Sequence, residues 1–254
     1  MIITFLGTGT SQGVPVIACT CEVCTSTDKH DKRLRSSILI ESDGKVIVVD
    51  TGPDFRYQML RAKVMHLDAV VFTHEHKDHI AGLDDIRAFN YKQQAAMDVY
   101  ASEQVQIALK REFYYIFSDY KYPGIPQVNL HTINKDTPFN IGNVHLTPIE
   151  VLHYKLPVLG FRVKDFTYIT DAKTISDTER EKIKGSKILV INALQRQSHI
   201  SHFTFDEAIA FAKEMGAEHT YFTHISHRLG KHADVSTELP ANIHLAYDGL
   251  QISL

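Results

Sequence analysis

The sequence has no tryptophan, only three cysteines, no long apolar run and no large surplus of either charge. Each shortage closes off a class of protein. No stretch approaches the ~20 apolar residues that a membrane span needs, and the opening run 1–6 is short and lacks the basic start of a signal peptide. A cytoplasmic protein without membrane contact is the expectation. Lysine and arginine number 27 against 30 aspartate and glutamate, a formal net charge of -3. That balance supplies no general polyanion-binding surface, so nucleic acid is not expected as a partner. Three cysteines cannot all pair within one chain, and Cys19, Cys21 and Cys24 fall within six positions. Their crowding argues against a disulfide framework and for a metal or a reactive thiol. Repeats, low-complexity tracts and charge blocks are missing too, which excludes solenoids and disordered tails.

Histidine is what the chain has in excess, 15 among 254 residues, in an otherwise ordinary globular composition of 44% hydrophobic and 22% charged residues. So much imidazole in a near-neutral protein directs attention to metal ligands. The length suits one large domain or two small ones, and no linker is visible, so residues 1–254 read as a single domain. Strand-like runs occur at 2–6, 37–41, 45–50, 69–73, 98–101, 143–152, 160–164, 166–170, 187–191, 219–223 and 243–246. Helical spacing occurs at 54–63, 80–91, 103–110, 176–184 and 205–215, the last with Thr204 as N-cap and Gly216 just past its end. Tight turns such as that at Asp43-Gly44 imply antiparallel pairs, and strand-helix-strand passages imply parallel ones, giving a mixed α/β sandwich. The tyrosine-rich region 91–126 reads as packing against the core, with a helical lid as the other reading.

The ligand-type side chains concentrate at one junction. After the apolar run ending at Thr73 come His74, His76, Asp78 and His79, four in six positions. His74 and His76, two apart in extended chain, point to one side and can share a metal, while Asp78 and His79, where the chain turns into a helix, can serve a second. One segment supplies too few ligands for two ions. His153, Asp171 and His224 each follow an apolar run and precede a polar turn, repeating the geometry of the first cluster.

These residues resemble the His-x-His-x-Asp-His signature of the metallo-β-lactamase superfold, a four-layer αββα sandwich of two similar halves. The resemblance implies that His74, His76 and His153 bind one divalent ion, zinc or manganese. It assigns Asp78, His79 and His224 to the other ion and makes Asp171 the bridge. Asp50 also matches a family position, either orienting ligands or serving as a turn aspartate before Gly52. Two such ions can hold a hydroxide between them and neutralise the attacking and leaving oxygens of a hydrolysis.

The superfold alone does not choose a substrate. Cys19, Cys21 and Cys24 can converge on one tetrahedral ion, with His227 placed to complete a Cys₃His structural zinc. His202, just ahead of the well-capped helix, resembles the proton-donor histidine of phosphodiesterase members, with His199 a nearby competitor. The opening Gly7-Thr8-Gly9-Thr10 loop, Cys19 and the 50–54 segment together are similar to the phosphoribosyl cyclic phosphodiesterases of bacterial phosphonate breakdown. That likeness implies hydrolysis of a small cyclic or nucleotide-like phosphodiester, with Asp78 and His202 in the catalytic machinery. Alternatives are a transfer-RNA 3′-processing endonuclease and a non-catalytic metal-binding module. Relatives often carry Asp where this chain has Asn192, which puts the pocket's polarity in question. Association into a homodimer stays open.

Overall fold

The structure, a computed structural model, describes residues 1–119 and 122–254. Its strands form two seven-stranded sheets. The first sheet holds β1 (Ile2–Gly7), β2 (Ser37–Ser42), β3 (Lys45–Val49), β4 (Ala69–Val71), β5 (Met97–Ala101) and β6 (Val128–Thr132). The second holds β7 (Phe139–Ile141), β8 (Val144–His153), β9 (Leu156–Val163), β10 (Phe166–Tyr168), β11 (Ile188–Asn192), β12 (His219–Thr223) and β13 (Ile243–Leu245). The last strand, β14 (Gln251–Ser253), returns to the first sheet and pairs antiparallel with β1. Both sheets are mixed: β1-β2-β3 is antiparallel and β3-β4-β5-β6 parallel, while β8-β9-β10 is antiparallel and β10-β11-β12-β13 parallel.

Alternation along the strands builds the layers. In β3, Ile47 and Val49 face the space between the sheets and Val48 faces away; in β11, Ile188 and Val190 face inward and Leu189 and Ile191 outward. A sheet buried on both sides needs apolar residues on both, which is why these strands read as unbroken hydrophobic runs. The eight helices among the described residues are α1 (Phe55–Ala62), α2 (Lys77–Ile80), α3 (Arg87–Gln93), α4 (Glu103–Glu112), α5 (Tyr114–Phe117), α6 (Asp177–Ile183), α7 (Phe205–Met215) and α8 (His232–Ser236). Phe55 and Met59 of α1 with Val105 and Leu109 of α4 cover the outer face of the first sheet. Ile183 of α6 and Phe205, Ala208, Phe211 and Met215 of α7 cover that of the second. The outcome is the expected αββα sandwich.

Helix α7 starts at Thr204 in a complete capping box with Glu207 and ends at Gly216 in the left-handed region, as expected. Each phenylalanine it buries contributes roughly 1.5–3 kcal/mol. The helix expected over 80–91 is broken into α2, a 3₁₀ turn at Leu83–Ile86, and α3. The break lies at Gly82, whose N–H donates to Thr51 O at 2.8 Å and whose added Cβ would stand 2.2 Å from Gly52 O. Backbone approach this close outweighs helical periodicity. In the 91–126 region, Val105, Leu109, Phe113 and Ile116 are buried in the outer core, which bears out packing; residues 120 and 121 lie outside the described residues.

Candidate metal centre

The candidate side chains gather where strand ends of both sheets meet. Strand β4 delivers Thr73 and His74, the chain stays extended through His76, and α2 turns Asp78 and His79 back into the same space. From the second sheet, β8 ends on His153, β10 leads to Asp171 and β12 leads to His224. All seven of these strand-end residues come together, with His202 beside them. Ligand-type atoms of Asp78, His79, Asp171 and His224 lie within 4.8 Å of one another. The same holds for His74, His76 and Asp171, and for His153, Asp171 and His202. Asp171 is common to all three sets, the position a bridging carboxylate requires. The His153 ring stands 5.1 Å from that of His76 and 6.0 Å from that of His74.

Buried partners fix the ring orientations. Asp50 accepts from His79 Nδ1 at 2.7 Å and from the Thr73 N–H and hydroxyl at 2.9 and 2.8 Å. The Thr73 hydroxyl, committed as donor to Asp50, accepts from His74 Nδ1 at 3.0 Å. His153 Nδ1 donates to Ser201 O at 3.0 Å, and His224 Nε2 lies 3.2 Å from Thr10 Oγ1. These contacts leave His74 Nε2, His79 Nε2 and His224 Nδ1 buried without a hydrogen-bond partner. Orphaned imidazole nitrogens facing carboxylates are what a divalent cation would satisfy, so the residue set fits metal. Asp50 thus fixes the His79 ring, and Thr73, Thr10 and the Ser201 carbonyl, which escaped the sequence reading, contact the rings of His74, His224 and His153.

Three strand ends are bent to make this possible. Asp50, Asp171 and His224 all have left-handed backbones, with φ of 66°, 55° and 54°. Such conformations are costly for residues other than glycine and persist where the surroundings over-determine them.

Charge follows the same pattern. Burial opposes charge on His79, yet Asp78, Asp171 and Asp50 outweigh it and hold the imidazole well above its ordinary value. Burial also works against the Asp171 carboxylate, but His224 and His79 keep it well below the usual range. Asp78 is likewise held low, His79 overcoming the effect of burial. Burial drives His74 well down and His224 and His76 down, favouring the neutral, ligating form of each. His202 is pushed down to about 2, again by burial.

The first loop packs on neighbouring backbone, and one expectation, that for Asn192, is corrected. Gly9 N donates to Leu34 O and Thr10 N to Ile225 O, and a Cβ on Gly7 would stand 1.9 Å from Arg35 O. The glycines of the first loop serve close backbone packing, and these two N–H groups are not free for phosphate. Asn192 does not reach the pocket: it is wholly buried, accepting from Ala172 N at 2.7 Å and donating to Ala172 O at 3.0 Å, which braces the backbone after Asp171. An aspartate could not donate there. Asn192→Asp is expected to cost about 1–3 kcal/mol of stability in urea melts. The carboxyl facing Ala172 O would titrate above its unfolded value, so the deficit should grow as pH rises through that range.

Across the rim, Cys19, Cys21 and Cys24 sulfurs lie 3.3, 3.3 and 3.5 Å from His227 Nδ1. Tetrahedral zinc with bonds of about 2.3 Å to sulfur and 2.0–2.1 Å to nitrogen places such atoms about 3.5 Å apart. The backbone N–H of Cys24 draws the Cys21 thiol down to about 6, whereas burial pushes Cys24 up to about 11. Val14, Val16 and Val23 pack around the cluster.

Residues 45–225 match the sequence profile of the beta-lactamase superfamily domain. The chain belongs to that family. A crystal structure of a diphosphatase from the PhnP family is 40% identical to it, with a TM-score of 0.93 over all of this chain and 97% of that one. An octanoyltransferase of Porphyromonas gingivalis is 41% identical over 248 residues, 97% of this chain and 50% of the relative. The chain therefore spans about half the length of that curated relative. Zinc-bound PqqB of Methylobacterium extorquens, 19% identical with a TM-score of 0.83 over the whole of both chains, shares the fold. This superfamily member accordingly has the metallo-β-lactamase fold, a fold whose members hold divalent metal. No helix among the described residues is long and apolar enough to cross a membrane.

Proposed function

We propose that this hydrolase cleaves a small phosphodiester or phosphate anhydride, cyclic or nucleotide-like, at a two-ion centre held by His74, His76, His153, Asp78, His79, His224 and Asp171. The observation that carries the reading is the place of His202. It is 6% exposed, its ring stands 4.4 Å from that of His153 and 4.8 Å from that of His224, and its Nδ1 has no partner. A buried imidazole beside the ligands, with a nitrogen to spare, suits the handling of a proton at a leaving oxygen. The diphosphatase, which this chain matches end to end, supports phosphate as the substrate class.

When bound, two divalent ions would neutralise phosphoryl charge and activate water. The protein's own residues do the rest. Asp50, Thr73, Thr10 and the Ser201 carbonyl hold the ligating rings at fixed angles. His202 rests neutral because burial disfavours its charged form, and an anionic phosphate beside it restores proton affinity when substrate arrives. The imidazole then passes its proton to the departing alkoxide or phosphate oxygen.

Leaving-group chemistry tests the assignment. General acid catalysis contributes ~10²–10⁴-fold, but only where the leaving group needs a proton. His202→Ala should depress hydrolysis of a ribose cyclic phosphate by that range and spare bis-p-nitrophenyl phosphate, with metal content unchanged. Equal losses on both would indicate stabilisation of phosphoryl oxygens instead. No loss on either would remove the support for phosphate chemistry.

A further inference from the structure

Among the described residues, four hairpins close on two-residue turns, at Asp43-Gly44, Gly142-Asn143, Tyr154-Lys155 and Lys164-Asp165. The first residue of each has a positive φ, from 50° to 59°. Glycine, asparagine and aspartate enter that region most readily, and the first two turns obey the preference. Tyr154 is the misfit, with a φ of 59°. A bulky ring in the left-handed region is an outlier, and such outliers cluster where a site needs the side chain. Packing does not account for this one, because the residue is 52% exposed.

Its place in the fold does. Tyr154 follows His153 directly, so their Cα atoms are about 3.8 Å apart. The His153 ring stands 4.4 Å from that of His202 and 5.1 Å from that of His76. The 3.0 Å hydrogen bond from His153 Nδ1 to Ser201 O fastens the hairpin tip to the segment that carries His202. Ile200, next to the acceptor as Tyr154 is next to the donor, is 66% exposed. Two large apolar side chains therefore lie uncovered on either side of one bond at the edge of the metal centre. A single exposed apolar side chain is ordinary. A pair flanking a polar centre, one of them in a conformation that its residue type avoids, marks a ligand surface.

We propose that Tyr154 is a specificity-determining residue, whose ring, with Ile200 at the same edge, stacks on a planar ring carried by the substrate. The inference rests on the phosphodiester reading and narrows it to esters that bear a nucleobase, in place of bare sugar phosphates. Lys155 Nζ stands 5.3 Å from the centroid of the Tyr154 ring, so a cation attends one face and the other is left for stacking. Every base has a π face, so the selection is for a base over none and not for one base over another.

The experiment compares two probes that share a leaving group, the p-nitrophenyl ester of thymidine 5′-phosphate and the same ester of the abasic sugar phosphate, on metal-loaded protein. The unsubstituted protein should show a KM lower by about tenfold for the thymidine ester, the scale of one base stacked on an aromatic side chain. Tyr154→Asn should erase that preference, Tyr154→Phe should keep it and Ile200→Ala should narrow it, with metal content and kcat on the abasic ester unchanged. Asparagine accepts the left-handed region better than tyrosine, so Tyr154→Asn should melt at the parent's temperature or above it. A preference that survives Tyr154→Asn, or that never exists in the unsubstituted protein, overturns the proposal. So does a Tyr154→Asn variant that melts lower and loses turnover of both probes alike, since the ring would then be a structural prop. Failure of the underlying reading has a different signature, no turnover of either probe by the unsubstituted protein, and it would remove the proposal as well.

Discussion

Asp171→Asn is expected to abolish turnover, by ~10³-fold or more, because it removes the one carboxylate shared by every ligand set in the centre. Its atoms lie with those of Asp78, His79 and His224, with those of His74 and His76, and with those of His153 and His202. The amide is nearly isosteric, so the sandwich should remain folded by circular dichroism. It also lifts a buried charge, so any change in melting temperature should be small beside the loss of activity. Metal analysis supplies the second readout: the fully loaded protein should approach three ions per chain, two here and one at the cysteines, and the variant should hold fewer. Near-normal activity in Asp171→Asn would rule the centre out as the catalytic one.

Cys21→Ser should act on stability instead. The three sulfurs and His227 Nδ1 offer four protein ligands at near-tetrahedral spacing, which leaves no position for water or substrate, as in structural zinc sites. Replacing one thiolate should release one zinc and lower the melting temperature by roughly 10 °C, since a few kcal/mol corresponds to several degrees in a domain of this size. Turnover should fall only as far as the rim loosens. The first loop bonds to the strand end beside His224 through Thr10 N to Ile225 O and Ile225 N to Thr8 O, so some loosening is expected. Complete loss of turnover in a variant as stable and as zinc-loaded as the parent would make the cysteine site catalytic.

What could be read in the sequence depended on whether residue type carried the signal. His74, His76, Asp78 and His79 stood out because imidazole and carboxylate are rarely so dense, and the capping of α7 because Thr204, Glu207 and Gly216 are specific to helix ends. The strands β6, β7 and β14 went unread: short, half-exposed or at an edge, they lack a strong apolar alternation. The division of 80–91 depended on Gly82 lying against Gly52, a contact between segments that periodicity along one segment cannot register. Thr10 and Thr73 escaped for a similar reason, since a threonine that steadies an imidazole looks like any other, and the Ser201 contact uses only a carbonyl that every residue possesses.

The candidate centre belongs to neither sheet alone. His74, His76, Asp78 and His79 come from the first, and His153, Asp171 and His224 from the second. An ion held by both groups would be a cross-link between the two halves of the sandwich, so parting the halves would also mean stripping metal. Affinity for the ion and resistance to unfolding would then be one thermodynamic quantity seen from two sides. Starving the protein of metal would weaken the seam before it touched the apolar layers outside it.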